Sequence, residues 1–180
     1  MSETVLLVGG GGREHAIARA LASDCDLYAV AGNRNPGIVD LADGFEQIDG
    51  TDDEANREYA EEIDATLAIV GPEAGLQAGV ADELDAAGVY TFGPQAEEAR
   101  IETDKAFQRQ FMQDNDIPGC PVFETFDDMD AACEFIDDYD GDLAVKPVGL
   151  TGGKGGTALG AHGPPAEANP YLQASDSEGD

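Results

Sequence analysis

Positive charge is what this chain has least of. Lysine occurs three times, at Lys105, Lys146 and Lys154, and lysine and arginine together number 9 against 38 acidic residues, a net charge of −29. A surface of that sign repels polyanions, which excludes nucleic acid and anionic membrane as partners. Histidine is limited to His15 and His162 and cysteine to Cys25, Cys120 and Cys133, none in C-x-x-C spacing. An odd, scattered cysteine count excludes a disulfide framework, and two histidines beside it leave no zinc-ligand pattern. No apolar run approaches the ~20 residues that a membrane helix needs. The N-terminus, M-S-E-T-V-L-L-V-G-G, is acidic with a short apolar run, so it does not read as a secretory signal. These absences point to a reducing, cytoplasmic setting.

Apolar residues make up 42% of the 180, enough for a core in one domain, or one domain and part of another. The acids do not form a single block. They spread over helix-like stretches such as Asp52-Asp53-Glu54 through Glu61-Glu62. Self-repulsion on this scale destabilises a compact state at low salt, so the composition predicts adaptation to a salt-rich cytoplasm. Where surface lysine has been stripped out, the three that remain are candidates for chemistry.

Over the first hundred residues short apolar strands alternate with amphipathic helices. Strands are expected at Thr4–Val8, Leu27–Val30, Phe45–Ile48, Leu67–Val70 and Val89–Phe92. Helices are expected at Arg13–Ala22, Asp52–Ile63 and Gly75–Ala87, the last closed by Gly88. That alternation means an α/β fold, an open parallel sheet with helices on both faces. Beyond it, Gln95–Arg100 and Lys105–Asn115 read as helices, with Thr103 or Asp104 as N-cap between them. Val122–Phe126 reads as a strand, Met129–Tyr139 as a helix and Leu143–Lys146 as a strand. Residues 160–180 have a disordered composition.

Gly9-Gly10-Gly11-Gly12 follows a strand and opens a helix, a place where backbone N–H groups and the helix dipole favour an anion. Four glycines exceed what a tight turn needs. A dinucleotide fingerprint fails here, because the third glycine of G-x-G-x-x-G falls on Glu14 or His15. The second strand also ends in Val30-Ala31-Gly32-Asn33, without the ribose-binding acid. Arg13 could contact a phosphate or stand in solvent, and His15 could face a ligand or pack in the core. Val70-Gly71-Pro72-Glu73 ends another strand at the same sheet edge, where Glu73 could accept from sugar hydroxyls or an amine or be one more surface acid. Lys146 ends a strand before Gly149, Gly152, Gly153, Lys154, Gly155 and Gly156, a loop able to close over phosphates. It is not a Walker P-loop, since no Ser or Thr follows Lys154 and Val148 stands where that motif has Gly.

Six segments, G-G-R-E-H-A at 11–16, G-N-R-N-P-G at 32–37, I-V-G-P-E-A at 69–74, F-G-P at 92–94, T-D-K-A-F at 103–107 and V-K-P-V-G-L-T-G-G-K-G at 145–155, resemble in order and spacing the phosphoribosylamine–glycine ligase family of purine biosynthesis, part of the ATP-grasp superfamily. The resemblance covers residues 4 to about 156. It implies a pre-ATP-grasp domain at 1–102, the start of an ATP-grasp region at 103–156, and an irregular tail at 157–180. The family joins glycine to 5-phosphoribosylamine with ATP, releasing ADP and phosphate, with Mg or Mn as cofactor. Carried over by position, Lys105, Lys146, Gly152, Gly153, Lys154, Gly155 and Gly156 look like the ATP-binding set. Gly11, Gly12, Arg13, Glu14, Asn33, Pro36, Gly37 and Glu73 look like the phosphoribosylamine side.

The sequence departs from the pattern in places. Gly10 stands where Asn is common, and Pro147-Val148 replaces an Ala-Asp pair. After Gly155 the family continues into a β-branched strand and a long segment bearing the adenine hinge, metal ligands and glycine site. G-T-A-L-G-A-H-G-P-P does not read as that strand. The expectation is a ligase cut short, by a shifted reading frame or otherwise, and inactive alone. The alternatives are a phosphoribosyl-binding module or a half-enzyme completed by a separate lobe.

Overall fold

A computed structural model describes residues 3–141 and 143–146, and the backbone of 157–159. The chain divides into two compact units, Met1–Thr103 and Asp104–Asp180.

The first unit contains β1 (Thr4–Val8), α1 (Gly12–Leu21), β2 (Asp26–Val30), α2 (Pro36–Val39), β3 (Gly44–Glu46), α3 (Asp53–Glu62), β4 (Leu67–Val70), α4 (Glu73–Gln77), α5 (Val80–Ala86), β5 (Tyr90–Phe92) and α6 (Ala96–Thr103). The strands form one sheet in the order β3-β2-β1-β4-β5, and every pairing is parallel. The two-residue period of a strand splits β1 between two cores. Leu6 and Val8 pack on one face with Val30, Ala60, Val70, Val80 and Leu84. Val5 and Leu7 pack on the other with Ala18, Leu27, Ala29 and Ile38. Both faces of β1 are therefore buried, as expected of a central parallel strand.

The register levels three strand ends. Val8 lies opposite Val30 and Val70, so the loops beginning at Gly9, Ala31 and Gly71 leave the sheet side by side. The chain runs outward from β1 to β2 and β3, then returns to the other side of β1 as β4. That reversal is the topological switch point at which open α/β sheets bind ligands.

The second unit contains α7 (Lys105–Asp114), α8 (Met129–Asp138), β6 (Leu143–Val145) and β7 (Thr157–Leu159). Asp104 is the N-cap of α7, its carboxylate accepting from the Phe107 N–H at 3.0 Å. Strands β6 and β7 pair antiparallel, with Val145 opposite Thr157.

Three expectations are corrected. The helix expected over 75–87 is two helices, because Gly79 takes a left-handed φ of +88° that ends one ladder before Val80 begins the next. Residues 122–126 form no strand. Val122 is 95% exposed and pairs with no strand among the described residues, so β-branched composition alone did not produce one. Thr157–Leu159, taken as the start of an irregular tail, is a strand. The disorder expected at 160–180 lies outside the described residues. No helix among the described residues is long and apolar enough to cross a membrane.

Candidate functional site

The site is built around Glu14. It occupies the third position of α1, where a carboxylate can reach back to the N–H of the capping residue, and it accepts from the Gly11 N–H at 2.7 Å. Glu14 is 4% exposed. Its other oxygen accepts from Arg13 Nε at 3.1 Å. Arg13 then extends across the sheet edge. Its Nη2 donates to the Gly71 carbonyl at 2.7 Å and meets Glu73 Oε1 at 3.3 Å. One guanidinium thus ties the loop after β1 to the loop after β4.

This clasp explains most of the glycines. A Cβ at Gly71 would strike the Glu14 carboxylate, one at Gly11 would lie 2.5 Å from Glu14 Oε2, and one at Gly9 2.8 Å from Glu14 Cγ and from Pro72. Gly9 also has a φ of +122°. These positions are small to house a buried acid. At Gly12, by contrast, a Cβ would meet nothing within 4 Å. The first N–H groups of α1, from Gly12 onward, have no intrahelical acceptor, so Gly12 faces open space with an anion-compatible backbone.

The Arg13–Glu73 pair is half open to solvent, with side-chain exposures of 55% and 36%. The Glu73 carboxyl is held below the usual carboxylate range, first by its own backbone N–H at the start of α4; burial opposes this, and the charge and hydrogen bond of Arg13 lower it further. Glu14 and Glu73 together outnumber the one Arg13 charge.

Asn33 and Asn35 belong to the loop after β2. Both side chains donate to the Gly10 carbonyl, at 3.4 and 3.1 Å, and Asn35 also caps α2 through the Gly37 N–H at 3.0 Å. Pro36 opens α2, where its missing N–H costs nothing. Gly37 makes room for the His15 ring, which would collide with a Cβ there. Pro36, Gly37 and His15 thus brace the loop, and His15 packs as a histidine commonly does.

Between these loops lies a cleft of about 210 Å³, walled by Gly9, Gly10, Asn33, Pro72 and Gly75 and by the turn Asp49–Thr51. No motif marks that turn, which sits after a three-residue strand in a stretch rich in acids. A wider hollow of about 450 Å³ lies in the second unit, between Met112 and Phe123. It brings no cation and no glycine loop to its walls beyond Gly119, so the smaller cleft at the switch point is the candidate.

The first unit therefore brings together Gly11, Gly12, Arg13, Glu14 and Glu73, with Asn33 on the adjacent wall. In the second unit Lys105 is the first residue of α7 and Lys146 follows β6, exposed. Gly152, Gly153, Lys154, Gly155 and Gly156 lie outside the described residues. Among the described residues no group of three His, Cys, Asp or Glu side chains could hold a metal ion.

Residues 3–102 match the model of the phosphoribosylglycinamide synthetase N domain, and residues 103–168 that of its ATP-grasp (A) domain. The phosphoribosylamine–glycine ligase of Methanopyrus kandleri is 52% identical over 160 residues, 87% of this chain and 36% of that protein. That of Methanoregula boonei is 47% identical over 171 residues, 94% of this chain and 40% of that one. The chain spans little more than a third of the length of such curated relatives. Among solved structures, an ADP complex of N5-carboxyaminoimidazole ribonucleotide synthetase superposes with a TM-score of 0.74 at 18% identity, covering 96% of this chain and 45% of that one. The same enzyme from Thermotoga maritima gives 0.68 at 15%, covering 93% and 43%. Identities that low speak for the fold alone. With more than half its length matched by the N-domain model and the remainder running into the A-domain model, the chain belongs to the phosphoribosylglycinamide synthetase family.

Proposed function

We propose that this chain carries the phosphoribosylamine side, and the first part of the ATP side, of a ligase that joins glycine to 5-phosphoribosylamine. In that reaction the γ-phosphoryl group of ATP passes to the glycine carboxylate and ADP leaves. The sugar amine attacks the resulting acyl carbon, phosphate departs with the C–O bond, and the nitrogen loses a proton. A carboxylate is a poor electrophile until its oxygen becomes a phosphate leaving group, which is why the step consumes ATP. Arg13 and the backbone at Gly12 receive the sugar phosphate, Gly11, whose N–H is held by Glu14, flanks it, and Glu73 accepts from the sugar or its amine. Glu14 holds Arg13, while Asn33, Pro36 and Gly37 shape the pocket. Lys105, Lys146 and Lys154, with Gly152, Gly153, Gly155 and Gly156, offset charge on the ATP phosphates. Mg or Mn accompanies ATP in such chemistry. Among the described residues no group of three His, Cys, Asp or Glu side chains fits such an ion. The setting proposed is the cytoplasm.

The observation that carries this reading is the Arg13 bridge from α1 to Gly71 and Glu73, at the switch point and inside the span matched by the N-domain model. The test is an amide NMR titration of the 180-residue chain with ribose 5-phosphate. Shifts concentrated at Gly11, Gly12, Arg13 and Glu73, and lost in Arg13→Ala, are expected. Shifts elsewhere, or none, would defeat the reading. The 180 residues span little more than a third of such relatives, so taken alone they are expected to bind without turnover, and ADP release with all three substrates present should stay at background.

A further inference from the structure

The cleft has a polarity that the glycine loops and Arg13 do not account for. Its walls are backbone and small side chains at Gly9, Gly10, Ala31, Gly32, Gly50 and Gly75, and among the lining residues Asp49 is the one that carries a charge. Asp49 stands where it does because its turn is built rigidly. Asn56 is fully buried on α3 and donates to the carbonyls of Asp49 and Asp52 at 2.8 and 2.6 Å. Asp49 Oδ1 accepts both the Thr51 N–H, at 3.0 Å, and the Thr51 hydroxyl, at 2.9 Å. The Gly50 carbonyl is so close to Gly75 that a Cβ there would lie 2.6 Å from it. Both bonds to Thr51 fall on Oδ1, and no hydrogen bond falls on Oδ2 among the described residues.

A cleft with a fixed carboxylate and no cation repels a phosphate and attracts hydrogen-bond donors. We propose that Asp49 is a specificity-determining residue that accepts from the hydroxyl groups of a pentose phosphate, directing the sugar into the cleft and its phosphate outward toward Gly12 and Arg13. This rests on the phosphoribosyl reading above and adds to it an orientation and a residue. The turn alone would explain an Asp or an Asn at position 49, since either side chain can accept from Thr51. A charge at the cleft wall is what the turn does not require.

The experiment compares ribose 5-phosphate and inorganic phosphate, by NMR titration of the full 180-residue chain, in the wild type, Asp49→Asn, Asp49→Ala and Thr51→Ala. Asp49→Asn keeps the turn and removes the charge. Asp49→Ala removes the acceptor as well. The wild type should prefer ribose 5-phosphate over inorganic phosphate. Asp49→Ala should lose roughly tenfold or more of its affinity for the sugar phosphate, in line with a charged hydrogen bond. Asp49→Asn should fall between it and the wild type, and inorganic phosphate should bind all four proteins alike. Thr51→Ala, which keeps the carboxylate, should retain the preference. Should Asp49→Ala perturb the fold, the Asn variant carries the comparison. Wild-type affinity for ribose 5-phosphate in Asp49→Asn and in any folded Asp49→Ala would overturn the assignment of Asp49 and leave the phosphoribosyl reading standing. No binding of ribose 5-phosphate to the wild type would overturn both.

Discussion

At the scale of single residues, Glu14 and Gly71 form a pair that sequence motifs list separately. The glycine is there for the acid, because any side chain at 71 would push into the Glu14 carboxylate. Gly71→Ala should therefore destabilise the first unit by about 1–3 kcal/mol, the range for overpacking a filled site. Gly12→Ala meets open space at a helix start, so stability should hold within about 1 kcal/mol. Binding of ribose 5-phosphate should nevertheless weaken, because the added methyl stands where the ligand approaches. Urea melts beside NMR titrations separate the two effects, and equal stability losses would contradict the distinction. The Arg13–Glu73 contact makes a pH prediction. A carboxyl whose pKa is lowered on folding adds stability above its unfolded value of about 4.3, and that contribution is lost as pH falls through the folded value. The pair is solvent-screened, so its worth is about 0.5 kcal/mol at most. In a carbon-detected titration Glu73 should titrate below the other surface glutamates, and Arg13→Gln should move it upward. An unmoved Glu73 would mean that its own backbone N–H does all the holding.

At the scale of elements, acids appear where a helix start needs one. Asp52, Asp104 and Asp128 each cap a helix by accepting from the N–H three residues on, at 3.0, 3.0 and 2.8 Å. Asp52→Ala should cost about 1 kcal/mol, read as a lowered melting temperature of the first unit, and Asp52→Asn much less. Asp104 was legible as one of two cap candidates, and so were the five strands of the first unit, because apolar runs and Asp before a periodic stretch are local signals; Asp52 was read as already inside its helix. The break between α4 and α5 was not. Gly79 lies inside an unbroken helical pattern, and its left-handed φ follows from how Leu76 on one side and Val80 and Leu84 on the other reach the same core. Strand β7 was also hidden, since three residues in a Gly- and Ala-rich stretch carry no period and gain their place by pairing with β6. The site was legible in part. G-G-R-E-H and G-P-E marked its residues, but burial of Glu14 and convergence of the Asp49 turn on the cleft depend on register and on Asn56, which no motif marks.

At the scale of the whole molecule, the charge of −29 is the dominant fact. The arginines recruit local acids, Arg57 with Glu58, Glu61 and Glu83, and Arg100 with Glu97. Nine cations still leave most of 38 acids facing one another. At 0.1 M salt the Debye length is about 10 Å, comparable to spacing between surface charges, while at 1 M it is about 3 Å. Folding gathers these charges, so screening should favour the folded state. If moving from 0.1 M to 2 M KCl gains about 2 kcal/mol, the melting temperature of a unit of this size rises by roughly 10 °C. Circular dichroism melts across that range check it, and NaCl should act much as KCl does if screening is the cause. A melting temperature indifferent to salt would show that the acids repel one another little. The composition would then have no bearing on the conditions in which the chain folds.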